Sequence, residues 1–219
     1  MSHFKLALSV FVIFTASLAN AAGVEENLRD LNFCAVTKAT INDYEPERFE
    51  PSNNLLRKAG QEEIFCGKKI IVHGKVLDQN CVPVADAKVY IWQANCNGKY
   101  PYKPLKNIAK KSLIDINRES TFTGNGSATT NNKGEFTFVT IYPPAMHSLA
   151  SHVDLRVEHY MLGTIQTTVM LDGKKVSNPN DKPELQSIAE ALEATDTSIY
   201  NFEIVLPGSG IKSYTDMSD

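Results

Sequence analysis

The stretch from Ile70 to Tyr100, IIVHGKVLDQNCVPVADAKVYIWQANCNGKY, decides the fold of this chain. Residues 69–77 and 86–93 are rich in Val and Ile, and their apolar side chains alternate with polar ones. This period of two is typical of β-strands that bury one face. The pattern predicts an antiparallel hairpin whose turn holds Cys81.

Further strand-like segments follow the same pattern, at residues 135–141, 152–158, 164–171 and 200–206. Helical signals are fewer. Residues 24–31 predict one short helix, and residues 181–192 predict another, with a capping-box-like start and an apolar stripe at Leu185, Ile188, Ala189 and Leu192. The polar region 101–133 predicts a long loop. The chain is therefore predicted to be an all-β sandwich with one or two short helices and long loops.

Two motifs resemble the intradiol ring-cleavage dioxygenase family, of the protocatechuate 3,4-dioxygenase type. They are IWQANCNGKY (Ile91 to Tyr100) and GEFTFVTIYPPAMHSLASHVDLRV (Gly134 to Val157). The resemblance covers roughly residues 50–206 and implies a β-sandwich that holds ferric iron between two tyrosines and two histidines.

The resemblance aligns Tyr100 and His152 with two iron ligands of that family, but other positions differ. Met146 stands in place of the second tyrosine, Asp154 in place of the second histidine, and Leu149 in place of an arginine near the substrate. A thioether suits neither Fe(III) nor base chemistry. Leucine offers no charge to a developing anion. These differences predict a degenerate iron site and a pseudoenzyme.

A rebuilt metal site is the competing interpretation. His152, Asp154 and Arg156 share one face of a strand, and His147 lies beside the altered tyrosine position, so Tyr100, His147, His152 and Asp154 could together hold a metal. A carboxylate beside a guanidinium more often forms an ion pair. We therefore expect Arg156 to neutralise Asp154.

A cleft for small aromatic ligands is a further hypothesis. Trp92 and Gln166 align with or near family positions that surround the substrate, Arg156 shares the strand face of His152, and Trp92 with Tyr100 would line the cleft. Core packing alone explains a buried tryptophan, and Gln166 fits an ordinary half-exposed strand position.

The start of the chain points to export. Residues 1–21 carry Lys5, an apolar run and Ala19-Asn20-Ala21, which together predict a signal peptide. Residues 22–49 are then an N-terminal extension, residues 50–206 the sandwich and residues 207–219 a flexible tail. We expect a periplasmic or secreted protein without a membrane span. A net charge of −3 argues against a nucleic-acid partner.

Four cysteines in an exported chain predict two disulfides. Three pairings are open, and the expected strand geometry favours one. The turn that holds Cys81 lies a strand length, roughly 25 Å, from Cys96, which is beyond disulfide reach. We predict Cys66–Cys96 and Cys34–Cys81. A zinc site is the rival interpretation, but no CxxC pair supports it.

Three functions fit these patterns. The first is a catalytically inactive, exported protein that acts as a structural or binding component of the cell envelope with protein partners there, for example in a secretion apparatus, and needs no cofactor. The second is an iron-dependent, intradiol-type dioxygenase for catechol-like aromatics with a rebuilt ligand set. The third is a module that binds small phenolic ligands without turning them over.

Overall fold

Nine strands form two sheets in the part of the chain that the structure describes. The computed structural model describes residues 33–106, 111–116, 119–146, 149–171, 187–188, 190–194 and 197–208. All strands lie in the unit Cys34–Asp219. Their bounds are β1 Lys69–Leu77, β2 Lys88–Trp92, β3 Asn125–Thr129, β4 Glu135–Ile141, β5 His152–His159, β6 Gly163–Met170, β7 Ser187–Ile188, β8 Glu190–Ala194 and β9 Thr197–Val205.

The two sheets differ in size. The four-stranded sheet has the order β4-β1-β9-β8, and the five-stranded sheet has the order β3-β2-β5-β6-β7. Most neighbours are antiparallel, while β1 runs parallel to β9 and β6 runs parallel to β7. In the five-stranded sheet, Trp92 lies opposite Asp154 and Asp154 lies opposite Thr168, which sets the register of the candidate site.

The main core lies between the two sheets and follows the period of two that the sequence shows. Val89 and Ile91 of β2 and the alternate residues Val153, Leu155 and Val157 of β5 are fully buried in it. Phenylalanines of the opposite sheet complete it, namely Phe136, Phe138 and Phe202. The predicted all-β sandwich is confirmed.

A short segment before the first strand covers one edge of each sheet, at β4 and at β3. The N–H of Leu55 donates to the carbonyl of Val139 at the β4 edge, and the N–H of Ser127 donates to the carbonyl of Ser52 at the β3 edge. Gly126 permits the second contact, because a Cβ there would lie 2.3 Å from the Ser52 carbonyl oxygen. Covered edges do not pair with other chains.

The predicted hairpin is wrong. β1 belongs to the four-stranded sheet and β2 to the five-stranded sheet, so the chain through Cys81 passes from one sheet to the other. A hairpin within a sheet and an arch between sheets carry the same local turn signals. Alternation alone therefore could not separate them.

Two further predictions need correction. The region 101–133 is not loop throughout, because β3 lies within it. The helix predicted at 181–192 is wrong where the structure describes it, since Ser187–Ile188 and Glu190–Ala194 are strands and β8 pairs with β9. Pairing at the sheet edge overrides a helical spacing of apolar residues.

Several predicted features lie outside the described residues. They are the signal peptide at 1–21, the helix at 24–31, the capping-box residues 181 and 184, and the tail beyond Gly208. Within the described residues, no helix is long and apolar enough to cross a membrane.

Both predicted disulfides are present. Cys34 is bonded to Cys81, and Cys66 is bonded to Cys96. The first joins the N-terminal segment to the arch between β1 and β2. The second joins the residues just before β1 to those just after β2.

Candidate functional site

The residues that align with family iron ligands lie on the outer face of the five-stranded sheet, opposite the main core. His152, Asp154 and Arg156 alternate along β5 with the core residues, so all three point to this face. Tyr100 follows β2 and packs in a second apolar cluster with Trp92 and Tyr102. Tyr100 is 2% exposed, and Asp154 is 1% exposed. We call this surface the ligand face.

The carboxylate of Asp154 is bonded on both oxygens. The hydroxyl of Thr168 donates to Oδ1 at 2.7 Å, and the amide Nδ2 of Asn42 donates to Oδ2 at 2.5 Å. Burial raises the pKa of Asp154 to about 6, although the attraction of His152 and the bond from Thr168 oppose the rise. Asp154 is therefore a buried acid whose two oxygens each accept a hydrogen bond from within the protein.

Tyr100 is enclosed by aromatic rings. Its ring stacks on that of Tyr44 with centroids 4.3 Å apart and an interplanar angle of 7°, and Tyr102 packs edge-on at 5.8 Å. Burial raises the pKa of Tyr100, and the charge of Asp154 adds to the rise, whereas a hydrogen bond with the side chain of Asn42 opposes it. The neutral phenol is therefore the favoured form of Tyr100 in this structure.

His152 is oriented by the backbone. Its Nδ1 lies 2.8 Å from the carbonyl oxygen of Ala150. Because a carbonyl can only accept, Nδ1 carries the proton and donates. His152 is thus fixed in one ring orientation beside Asp154, and Nε2 is the ring nitrogen that Ala150 does not engage.

Arg156 does not pair with Asp154, contrary to our expectation. It forms ion pairs with Glu45 and with Glu158. Its guanidinium also lies over the ring of Tyr90 at 4.5 Å and over that of Phe49 at 5.3 Å. Arg156 lies two residues beyond Asp154 on β5. The carboxylate that pairs with it comes from Glu45 in the N-terminal extension.

Two of the altered family positions, Met146 and Leu149, lie opposite each other. Met146 and Leu149 exchange two backbone hydrogen bonds, and His147 lies outside the described residues. The side chain of Met146 packs against the cluster of Trp92 and Tyr100, whereas Leu149 is 42% exposed. Neither side chain supplies a charge or a hard ligand to the ligand face.

The proposed aromatic cleft is closed in this structure. Trp92 is fully buried, and Phe49 packs edge-on against it at 5.9 Å. Gln166 of β6 lies opposite Arg156, and the backbone carbonyl of Gln166 accepts the N–H of Thr40. Trp92, Arg156 and Gln166 lie on one face of the sheet, but residues of the N-terminal extension cover this face.

That cover is the feature that sequence reasoning missed. Residues 38–49, which we call the strap, cross the ligand face with Asn42, Tyr44, Glu45 and Phe49 directed onto it. The sequence predicted this part only as belonging to an N-terminal extension. The aromatic residues Tyr44 and Phe49 among polar ones were the available signal, but they do not show which surface they contact.

The donor atoms on the ligand face do not fit a ferric ion. The oxygens of Asp154 both accept hydrogen bonds, the ring of Tyr100 is covered by that of Tyr44, and Met146 offers a thioether. Among the described residues, no group of three or more His, Cys, Asp or Glu side chains is placed to hold a metal.

Comparisons with known proteins agree with the fold. A family model described as Dioxygenase matches residues 43–159. A protein of Rickettsia bellii with a provisional dioxygenase name is 48% identical over 186 residues, which cover 84% of this chain and 88% of that protein. The protocatechuate 3,4-dioxygenase beta chain of Burkholderia cepacia is 35% identical over 93 residues, covering 42% of this chain and 37% of that one.

Solved structures show the same architecture. An intradiol ring-cleavage dioxygenase from Tetranychus urticae superposes with a TM-score of 0.59 at 18% identity and covers 83% of this chain and 98% of that one. A dioxygenase domain from a Streptomyces species gives a TM-score of 0.60 at 19% identity, covering 80% of this chain and all of that domain.

Proposed function

The chain belongs to the intradiol ring-cleavage dioxygenase family, and from this premise we propose that it is a catalytically inactive member that serves as a structural or binding component of the periplasm or cell envelope. One observation carries the proposal. Asp154 takes a ligand position of the family, yet both of its oxygens accept hydrogen bonds from within the chain, one of them from the strap.

The electrostatics of the ligand face support the loss of catalysis. Ring cleavage in this family needs positive charge beside the aromatic substrate, from the metal and from an arginine. Here Leu149 stands at the arginine position, and Arg156 is already paired with Glu45 and Glu158. A negative substrate would meet a buried carboxylate with no free cation beside it among the described residues.

The disulfides support an oxidising compartment. Two of them account for all four cysteines of the chain. Such bonds persist in the periplasm and outside the cell and are rare in the cytosol. Together with the signal-like residues 1–21, they favour a role in the envelope, where protein partners are expected.

Metal content and oxygen uptake test the proposal. The exported protein, purified with its disulfides intact, would be assayed for iron before and after incubation with Fe(III), and then for oxygen uptake with catechol and protocatechuate. We expect well below one iron per chain and no uptake above that of a buffer blank.

Matched variants make the assay decisive. Near-stoichiometric iron that is lost in both Tyr100→Phe and His152→Ala, with oxygen uptake that is lost with it, would overturn the proposal and establish the rebuilt iron site. Iron that persists in both variants would be surface-bound and would leave the proposal intact, because the ligand face would not hold it.

A further inference from the structure

The strap is fastened at both ends. Before it, Cys34 is bonded to Cys81 in the arch between the sheets. At its far end, the N–H of Glu50 donates to Oδ1 of the buried Asn125 at 2.9 Å, and the hydroxyl of Ser127 donates to the carbonyl of Glu50 at 3.1 Å. The segment between these anchors therefore crosses the ligand face with little freedom to leave it.

Asn42 occupies the centre of this crossing. Its Oδ1 accepts the N–H of Tyr44 at 2.7 Å, which closes a local turn and fixes the orientation of the amide. Its Nδ2 donates to Asp154. One amide thus joins a residue that aligns with a metal ligand to Tyr44, whose ring stacks on Tyr100.

The contacts on either side of Asn42 pair strap residues one by one with residues of the sheet. The hydroxyls of Thr40 and Thr168 are 2.9 Å apart. The other pairs are Tyr44 with Tyr100, Glu45 with Arg156, and Phe49 with Tyr90 and Trp92. Most polar, aromatic and charged groups of the face have a partner of matching chemistry, whereas Trp92 Nε1, the Tyr102 hydroxyl and Gln166 Nε2 are buried there without a hydrogen-bond partner.

We propose that the strap is a permanent intramolecular ligand of this face, in which the hydrogen bond from the Asn42 amide to Asp154 is the cross-link between strap and sheet. Asn42 is a positioning residue. It holds the carboxyl of Asp154 under the strap and, by accepting the N–H of Tyr44, helps to place the Tyr44 ring on Tyr100. The proposal stands on these contacts and does not require that the protein be inactive.

A double-mutant cycle tests the cross-link. Asn42→Ala removes the donor to a buried carboxylate, and we expect the folding equilibrium constant to fall about tenfold or more. In the Asp154→Ala background, where the acceptor is gone, the same change should cost less than about threefold. Asp43→Ala is the matched control, because Asp43 is a neighbouring strap residue whose pair with Lys106 is exposed.

An isosteric variant distinguishes a cross-link from mere filling of space. Asn42→Asp keeps the shape but replaces the donor with a second carboxylate facing Asp154. We expect it to be at least as destabilised as Asn42→Ala at pH 7.5 and to recover toward wild type as the pH falls from 7.5 through about 6, because the second carboxylate raises the pKa at which the pair takes up a proton. The other titratable or charged groups around Asp154 are His152, Arg156, Tyr100, Tyr102, Tyr44 and Glu45.

The outcomes separate cleanly. Additive costs in the cycle, or an Asn42→Asp protein with wild-type stability at every pH, would overturn the proposal. Iron binding by the wild-type protein would instead count against the proposed function, and the cycle would still report on Asn42. If Asp154→Ala fails to fold, the pH profile of Asn42→Asp decides alone.

Discussion

The two faces of the five-stranded sheet come from the same strands but are held by different interactions. On the inner face, Val153, Leu155 and Val157 pack into a core of apolar side chains from the opposite sheet. On the outer face, Asp154 and Arg156 are matched by individual side chains of the strap. The inner face depends on buried area, and the outer face depends on specific pairs.

This difference explains how the fold can persist when the ligand face changes. Apolar burial is not directional and tolerates substitution of similar volume. A buried carboxylate or guanidinium must instead keep its partner, because an unpaired buried charge costs several kcal/mol. The strap supplies such partners, and its removal would take Asn42 from Asp154 and Glu45 from Arg156.

The largest expected effect comes from the disulfides. Replacing Cys34 and Cys81 with serine opens a link across 47 residues, and replacing Cys66 and Cys96 opens one across 30. Loop-closure entropy predicts a loss of about 4 kcal/mol for each pair. Denaturant unfolding of the two double variants would check this.

The location of the effect separates the two disulfides. Limited proteolysis should reach residues 38–49 sooner when the first pair is removed and should not do so when the second is removed, since only the first anchors the strap. Equal protection of the strap in both variants would show that the anchor at Cys34 is not needed.

A cavity in the inner face should cost slightly less. Leu155 is fully buried in the main core, so Leu155→Ala should destabilise the protein by about 3 kcal/mol. Leu149→Ala, at an exposed position, should cost less than about 0.5 kcal/mol. Urea unfolding curves of both variants give the comparison, and similar costs would mean that Leu149 contributes to packing in solution.

The ion pair between strap and sheet should have an intermediate effect. Glu45→Gln removes the carboxylate that faces the half-buried Arg156 and should cost about 2 kcal/mol. The control is Asp43→Asn, whose exposed pair with Lys106 should contribute less than about 0.5 kcal/mol. Thermal unfolding at low and high salt would distinguish them, because only the exposed pair is strongly screened. Equal costs would contradict the partner role of Glu45.

The last expected effect is a dependence of stability on pH. The folded protein raises the pKa of Asp154 from 3.8 to about 6, so it binds this proton more tightly than the unfolded chain does. The resulting stability is present below pH 3.8 and is lost as pH rises through about 6. Subtracting the profile of Asp154→Asn isolates the contribution, and the difference in melting temperature should fall between pH 4 and 7. A constant difference would refute the shifted pKa.

The sequence predicted the inner face well because its signal is local. The predicted strands at 69–77 and 135–141 have the bounds of β1 and β4, and the disulfide pairing is also confirmed. β3 escaped prediction because its sequence, NGSAT, lacks branched apolar residues, and its pairing with β2 is what makes it a strand.

The outer face was only partly predictable. The shared face of His152, Asp154 and Arg156 followed from the period of two, and the structure brings Tyr100 to the same place. The partner of Asp154 did not follow, because Asn42 is separated from it by 112 residues. Contacts at this range leave no periodic trace in the sequence.

The most direct test of the occupied ligand face is hydrogen exchange of the strap in the wild-type protein. The amides of Thr40, Tyr44 and Glu47 donate hydrogen bonds in this structure, to Gln166, Asn42 and Lys103. We predict that they exchange at least a hundredfold more slowly than in an unstructured peptide of the same sequence, and that residues of β5 are also protected. Exchange of residues 38–49 at peptide rates, with β5 still protected, would show that the strap does not occupy the face and would contradict this account.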